Sequence, residues 1–482
     1  MPDEQSTSTT ESACVARRPI AIDLFAGAGG LSLGLEQAGF DVAAAVEYDP
    51  VHAATHEFNF PQTEVLCADV SALAPDDLTT AVRAGIERHG GNLAEWDGEA
   101  DLIAGGPPCQ GFSLIGKRLV DDTRNQLVFH FFRLVTALKP RYFVMENVPG
   151  MTKGGHASIL NSLIGEFEEA GYGFPDAQKY RILNAASFGA PQERHRLFLI
   201  GTRADQKVIA EPPTPTVRPV SKRARGKREP DGGLPDGPTV WDAIGDLPDL
   251  NRYASLKDSD AVPLSAETFA AMDAAASDYA RRLRGLTSDP GDLSHPRAWD
   301  PAVLSSSTRT EHTSKSRRRF KATEHGDTAL ISRFYKLDPD GLCNTLRAGS
   351  GSERGAFTSP RPIHPYRSRV LSNREAARLH SFPDWFRLHS TKWHGFRQIG
   401  NAVVPLVGRA VGCQVVDALG VAPEKKAERL ELGDVSLLGL TMSQATKHFD
   451  VDESSIPAKR TRTEVVEEIE PTKDEQLEQV AA

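Results

Sequence analysis

Four side chains in this sequence carry reactive chemistry in settings that could make it usable. Cys109 lies in DLIAGGPPCQGFS (101–113), straight after an apolar run and bounded by Gly-Gly-Pro-Pro on one side and Gln-Gly on the other. A free cysteine is ordinarily a small, inert packing residue. A polar loop bounded by glycine and proline is a poor place to pack one, so its thiol is a candidate nucleophile. An unperturbed thiol has a pKa of about 8.5 and needs an electropositive site to ionise at neutral pH. Arg194 and Arg196 in PQERHRLFLI (191–200) could supply one: they stand two apart where a strand begins, so both point to the same side. Such a pair also reads as a solvated face or a salt-bridge set. Glu146 in RYFVMENVPG (141–150) ends an apolar run before a Pro-Gly turn, where it is either a proton donor delivered to a sheet edge or a surface carboxylate closing a strand.

A second constellation suits ligand binding. PIAIDLFAGAGG (19–30) reads as a strand running into a glycine turn and then the helix LSLGLEQAGF, so the amides of Gly27, Gly29 and Gly30 can approach a ligand closely. Glu47 follows about 20 residues later at the end of a second apolar run, where an acidic residue grips ribose hydroxyls in nucleotide-binding folds. Asp69 ends a third run and could accept from an adenine amino group. The glycines could equally serve only tight strand-to-helix packing. The absence of GxGxxG leans away from a pyrophosphate, but spacing alone does not separate a dinucleotide site from an S-adenosylmethionine site.

The elements that must position these groups are legible as short apolar runs at 19–25, 41–46, 64–68, 101–104, 141–145 and 196–200, each ending at glycine, proline or an acidic residue as buried parallel strands do. Helix-like stretches such as 30–39, 125–138 and 157–170 lie between several of them. This alternation predicts a doubly wound α/β sheet, on which ligands sit at the carboxyl ends of strands. The pattern gives way at about 203 to a loop-rich segment reaching 340, containing one short helix-like stretch at 239–248. Order returns at 370–386 and 406–420. The chain therefore divides into an N-terminal tail (1–18), a catalytic and ligand-binding domain (19–202), a second, smaller domain (203–340), a return to the first domain (341–420) and a polar tail (421–482), with one docked helix around 435–448.

Composition narrows the class. The 482 residues can bury a large core. No apolar run approaches the roughly 20 residues of a membrane span, and the opening MPDEQSTSTTESACVARR lacks the apolar centre of a secretory signal, so a cytoplasmic protein without membrane contact is expected. The five cysteines show neither zinc-type nor CxxC spacing, so disulfides and a structural metal are not expected. A net charge of −9 argues against indiscriminate nucleic-acid binding, but basic residues gather in 218–228 and in 315–321, and a local basic face can bind phosphate.

DLFAGAGG, GGPPCQGFS, ENV, QERHR and QIGNAVVP, in that order over about residues 19–415, resemble the ordered motif set of the prokaryotic type of DNA (cytosine-5) methyltransferases. The resemblance implies a Rossmann-like sheet that uses S-adenosyl-L-methionine to methylate carbon 5 of a cytosine flipped out of double-stranded DNA. Carbon 5 is a poor nucleophile until a thiolate adds at carbon 6, the part implied for Cys109. Glu146 would donate to ring N3, Arg196 would hold the base at O2, and Arg194 would support the cysteine loop. The loop at roughly 112–124, including Lys117, Arg118 and Arg124, would close on the DNA. For the cofactor, Phe25 would stack on adenine with Tyr48 as a second aromatic, Glu47 would hold the ribose and Asp69 the adenine amino group. Val70, Pro107, Asn401 and Val403 would complete the pocket.

Segment 203–340 occupies the position of the family's target-recognition domain, although 218–228 could equally be a linker. The resemblance implies a monomer acting in DNA modification, with a cognate restriction endonuclease as a candidate partner. Two other readings stay open: an inactive DNA-binding regulator, and the same chemistry on RNA.

Overall fold

The structure, a computed structural model, describes residues 17–108, 126–220, 233–350 and 360–451. Its centre is an eight-stranded sheet in the order β3-β2-β1-β4-β5-β8-β6, with β7 also paired to β8. The strands are β1 (Ile20–Leu24), β2 (Asp41–Glu47), β3 (Glu64–Cys67), β4 (Leu102–Gly105), β5 (Tyr142–Asn147), β6 (Tyr172–Gly173), β7 (Tyr180–Asn184) and β8 (His195–Arg203). The first five run parallel, and β8 is antiparallel to β5. The chain winds outward from β1 through β2 to β3, then returns to place β4 on the other side of β1. That reversal opens a crevice beyond the carboxyl ends of β1 and β4, where ligands bind in this architecture.

Both faces of the sheet are covered. The helices are α1 (Gly30–Ala38), α2 (Pro50–Asn59), α3 (Pro75–Arg88), α4 (Gln126–Leu138) and α5 (Gly155–Glu169), followed later by α6 (Val240–Ile244), α7 (Ala266–Ala275), α8 (Asp278–Leu283), α9 (Ser314–Ala322), α10 (Asn373–Leu379), α11 (Lys392–Asn401), α12 (Pro405–Leu419) and α13 (Met442–His448). Strand side chains alternate between faces. Ile22, Ile103, Phe143 and Met145 pack with α3, α4 and α5, whereas Ala21, Val42, Leu102 and Val144 pack with α1 and α12. The sheet expected from the apolar runs is therefore present and doubly wound, except that the run at 196–200, expected to be parallel, is the antiparallel β8.

α12 lies directly against α1. A Cβ on Gly34 would stand 2.6 Å from the Pro405 carbonyl oxygen and 2.7 Å from the Arg409 amide nitrogen, so only glycine permits this approach. Lys392–Leu419, 28 residues, is long and apolar enough by composition to cross a membrane, which no uninterrupted apolar run announced. The chain breaks it after Asn401 into α11 and α12, and much of the stretch is buried in the protein.

Between β8 and α10 the described residues form short elements on small clusters. The expected helix near 239–248 is α6, capped by Thr239, whose hydroxyl accepts from Asp242 N. One cluster joins α6 and α10 to Leu33 of α1 and Phe60 after α2. Another seats α9 through Phe320 against Ala329, Ile363 and Val370. Near the end of the described chain, a short 3-10 turn (Val435–Gly439) packs on α2, and α13 contacts the same helix.

Candidate active site

A cavity of about 620 Å³ opens at the carboxyl edge of the sheet, lined from β1, β2, β5 and the loops after β1, β3 and β4. Its first half is built on the glycine turn. Glu47, the last residue of β2, accepts from Gly27 N through Oε2 and from Asp49 N through Oε1, both at 2.8 Å. Each carboxylate oxygen keeps a lone pair for a ligand. Burial raises the Glu47 pKa against the pull of His52 and these amides. Phe25 holds a left-handed backbone with φ 60°, a conformation that costs a non-glycine residue roughly 1–3 kcal/mol and is characteristic of functional sites. Phe25, Gly27, Glu47, Tyr48, Asp69 and Val70 all line the cavity.

Gly29 and Gly30 do not line it. Gly29 has φ 101° at the start of α1, and a Cβ on Gly30 would stand 2.5 Å from the Val403 carbonyl oxygen. They are turn and packing glycines; of the three only Gly27 lines the cavity, and its amide is bonded to Glu47.

The second half of the cavity centres on Glu146 at the end of β5. Its Oε1 lies 2.8 Å from Arg196 Nε, and burial raises its pKa despite the opposing influence of Arg196 and Arg194. Asn147 donates from Nδ2 to the Pro107 carbonyl at 3.0 Å and accepts from Val148 N, clamping the loop after β4 to the end of β5. Pro107 and Pro108 line the cavity beside Glu146 and Arg196. The next residue, Cys109, lies outside the described residues, as do the 112–124 loop, Lys222–Arg228 and the tail from 452 onward.

Arg194 is fully buried. Its guanidinium donates to the carbonyls of Leu346, Gly400 and Ala402 at 2.9–3.0 Å. Burial, aided by neighbouring Arg196, lowers its pKa to about 9. Its partners among the described residues thus lie on the late segment, which it holds against the sheet. His380 Nε2 bonds the Ala402 carbonyl as well. Asn401 and Val403, on this pinned segment, close the cavity opposite Phe25 and Glu47 in sequence and beside them in space.

Sequence reasoning missed Asp23. It lies one residue before the end of β1, is buried, and lines the cavity. Oδ2 accepts from Ser32 Oγ at 2.5 Å, while Oδ1 has no hydrogen-bond partner. Burial pushes its pKa up to about 7. An acidic residue inside an otherwise apolar strand was the available signal, because a buried carboxylate needs a reason.

The donor set decides between the ligands left open. Asp23, Glu47, Asp49 and Asp69 all line this cavity, and no capping side chain or basic residue stands in the first turn of α1. A pyrophosphate would face four carboxylates. A ligand bearing hydroxyl and amino donors and net positive charge fits the same groups, and S-adenosylmethionine is such a ligand.

Fold and site together define an α/β methyltransferase with a buried acid-arginine pair beside its cofactor crevice. The family model for C-5 cytosine-specific DNA methylase matches residues 20–417. A type II methyltransferase, M.XorII of Xanthomonas oryzae pv. oryzae, is 49% identical over 96% of this chain and 100% of its own length. M.AgeI of Thalassovita gelatinovora is 31% identical over 81% of this chain and 97% of its own. Among solved structures, a DNA modification methyltransferase encoded within an E. coli prophage superposes with a TM-score of 0.63 at 33% identity, covering 83% of this chain and 99% of its own.

The chain belongs to the C-5 cytosine-specific DNA methylase family. It is an S-adenosylmethionine-dependent DNA (cytosine-5) methyltransferase, and DNA is its substrate.

Proposed function

We propose that Cys109 is the covalent nucleophile, that Glu146 and Arg196 hold the flipped cytosine, and that the acidic half of the cavity holds the cofactor. Phe25 and Tyr48 flank the adenine, Glu47 takes the ribose hydroxyls, Asp69 accepts from the adenine amino group, and Val70, Pro107, Asn401 and Val403 wall the pocket. Asp23, with one oxygen unpartnered, faces the ligand's positive charge. Bound there, S-adenosylmethionine supplies an electrophilic methyl group on a sulfonium.

The chain's own residues prepare the base. The Cys109 thiolate adds to carbon 6, and negative charge develops on the ring. The Glu146 carboxyl, protonated over a wider pH range because it is buried, donates toward N3 as that charge appears. Arg196 orients Glu146 through their ion pair and supplies a donor for O2. Carbon 5 becomes nucleophilic as a result; once it has taken up the methyl group it gives its proton to a base, and the bond from carbon 6 to sulfur breaks to free Cys109.

The observation that carries this reading is Glu146 itself: a half-buried carboxyl paired with Arg196, sharing one cavity with Glu47 and followed by Asn147, which bonds the carbonyl of Pro107, two residues before Cys109.

The 203–340 segment supplies target recognition in this proposal. α9 carries Lys315, Arg317, Arg318, Arg319 and Lys321 with no acidic residue, and it shares a small core with a turn whose Leu330 and Ile331 are 93% and 70% exposed. A basic helix beside an apolar tip suits a duplex, phosphates meeting the first and bases the second. The named relatives are type II methyltransferases, which supports a role in restriction-modification, as a cytoplasmic monomer beside a cognate endonuclease.

Bisulfite sequencing of plasmid from a host expressing the chain tests the reading. We expect protected cytosines at one recurrent sequence, and none with Cys109→Ala although that variant still binds the cofactor. Methylation by Cys109→Ala at the wild-type sites would rule out the assignment of the nucleophile.

A further inference from the structure

At the opposite end of the strands from the active site, three side chains from distant parts of the chain converge. Asp41 begins β2, His89 follows α3, and His295 precedes the short strand Arg297–Ala298. His89 Nδ1 lies 3.5 Å and His295 Nε2 lies 3.6 Å from Asp41 Oδ1, and the three ligand atoms all fall within 4.8 Å of one another. Both imidazoles are almost wholly buried, and neither of these nitrogens has a hydrogen-bond partner among the described residues.

The tautomer of His89 makes the arrangement informative. Its Nε2 contacts the Val42 carbonyl at 3.3 Å, and a carbonyl can only accept, so Nε2 carries the proton. The bare lone pair of Nδ1 then points at a carboxylate oxygen. Two acceptors facing each other in a buried place repel unless a cation stands between them. The two separations to Asp41 Oδ1 are close to those of neighbouring ligands around a tetrahedral ion with bonds of about 2.0–2.2 Å.

We propose that Asp41, His89 and His295 bind one divalent cation of the zinc class, as a structural site distinct from the catalytic cavity. Two imidazole nitrogens and one carboxylate oxygen suit such an ion, with water completing four-coordination. Arg18 Nε donates at 2.6 Å to the same oxygen, Asp41 Oδ1, and holds the carboxylate in place, as hydrogen bonds to ligating carboxylates commonly do. The site would staple the segment around His295 to the sheet, beside the buried Glu36–Arg297 ion pair at 2.7 Å that ties the same segment to α1. Cysteine spacing could not announce it, because none of its ligands is a cysteine and all three are remote in sequence.

The test uses tag-free full-length protein, incubated with zinc sulfate, passed over a desalting column and assayed by elemental analysis. We expect about one equivalent of zinc per chain and a raised Tm, since an ion bound only by the folded state stabilises it. His89→Gln and His295→Gln should each retain at least tenfold less zinc while still binding S-adenosylmethionine, which verifies their folding. Should either variant fail to fold, cobalt loading of the wild type decides: a tetrahedral spectrum without a thiolate charge-transfer band is expected. The proposal is overturned by wild-type protein that retains no zinc, by folded variants that retain it as well as the wild type, or by a thiolate band.

Discussion

Asp23 shows how burial sets the behaviour of a single carboxyl in this site. Its pKa rises from 3.8 to about 7 because the charged form is desolvated, although Ser32 partly offsets the rise. Between those two values the folded protein holds a proton that the unfolded chain has released. Stability therefore falls as pH rises through that window and levels off above it, by at most about 1.4 kcal/mol per unit. Asp23→Asn removes the proton exchange. Thermal unfolding without cofactor, at about pH 5 and about pH 8, should show the wild type losing more stability than the variant over this interval. Equal losses would mean that Asp23 ionises normally. Much at this scale was legible beforehand: Gly27, Glu47 and Glu146 sit where strand ends meet turns, and their types announce their chemistry. Asp23 was missed, and the bonds of Arg194 to the late segment were not foreseen, because burial and carbonyl contacts across more than 150 residues are properties of the packed chain.

Elements carry the next constraint, since the cavity is complete only when α12 seats on α1. Gly34 is the point of closest approach. Gly34→Ala places a methyl against the Pro405 carbonyl and the Arg409 amide, neither of which is a flexible side-chain end. Overpacking of this kind costs about 1–3 kcal/mol. The displacement passes to Val403 and Asn401, just before α12, so the KM for S-adenosylmethionine should rise severalfold while kcat changes less. Urea unfolding and cofactor titration together check this, and unchanged stability with unchanged KM would refute the coupling. The parallel strands were readable because most of them are short, largely apolar runs buried within the sheet. β7 was not, because Tyr180–Asn184 is mostly uncovered and has no such run. The seating of α12 was implied by motif order, but the glycine contact that permits it belongs to two helices far apart in sequence.

A protein with a net charge of −9 must still hold a polyanion, and the balance is struck by where the charge lies. Among the described residues, α9 concentrates five basic side chains in nine residues, with Arg317 and Arg318 exposed. Phe320 fixes the helix to its cluster, so its charged face is held by the fold and not by a loose chain. If that face meets the DNA backbone, each lost phosphate contact removes about 0.9 from the slope of log K against log salt concentration. Arg317→Gln with Arg318→Gln should therefore flatten the slope by about 2 and weaken binding at low salt, for cognate and unrelated duplexes alike. The pattern of methylated sites should not change, because phosphate contacts position a duplex without reading it. A slope identical to the wild type would remove α9 from the interface. A changed target sequence would instead make these arginines base readers, and the exposed Leu330 and Ile331 beside them would then be the next residues to substitute.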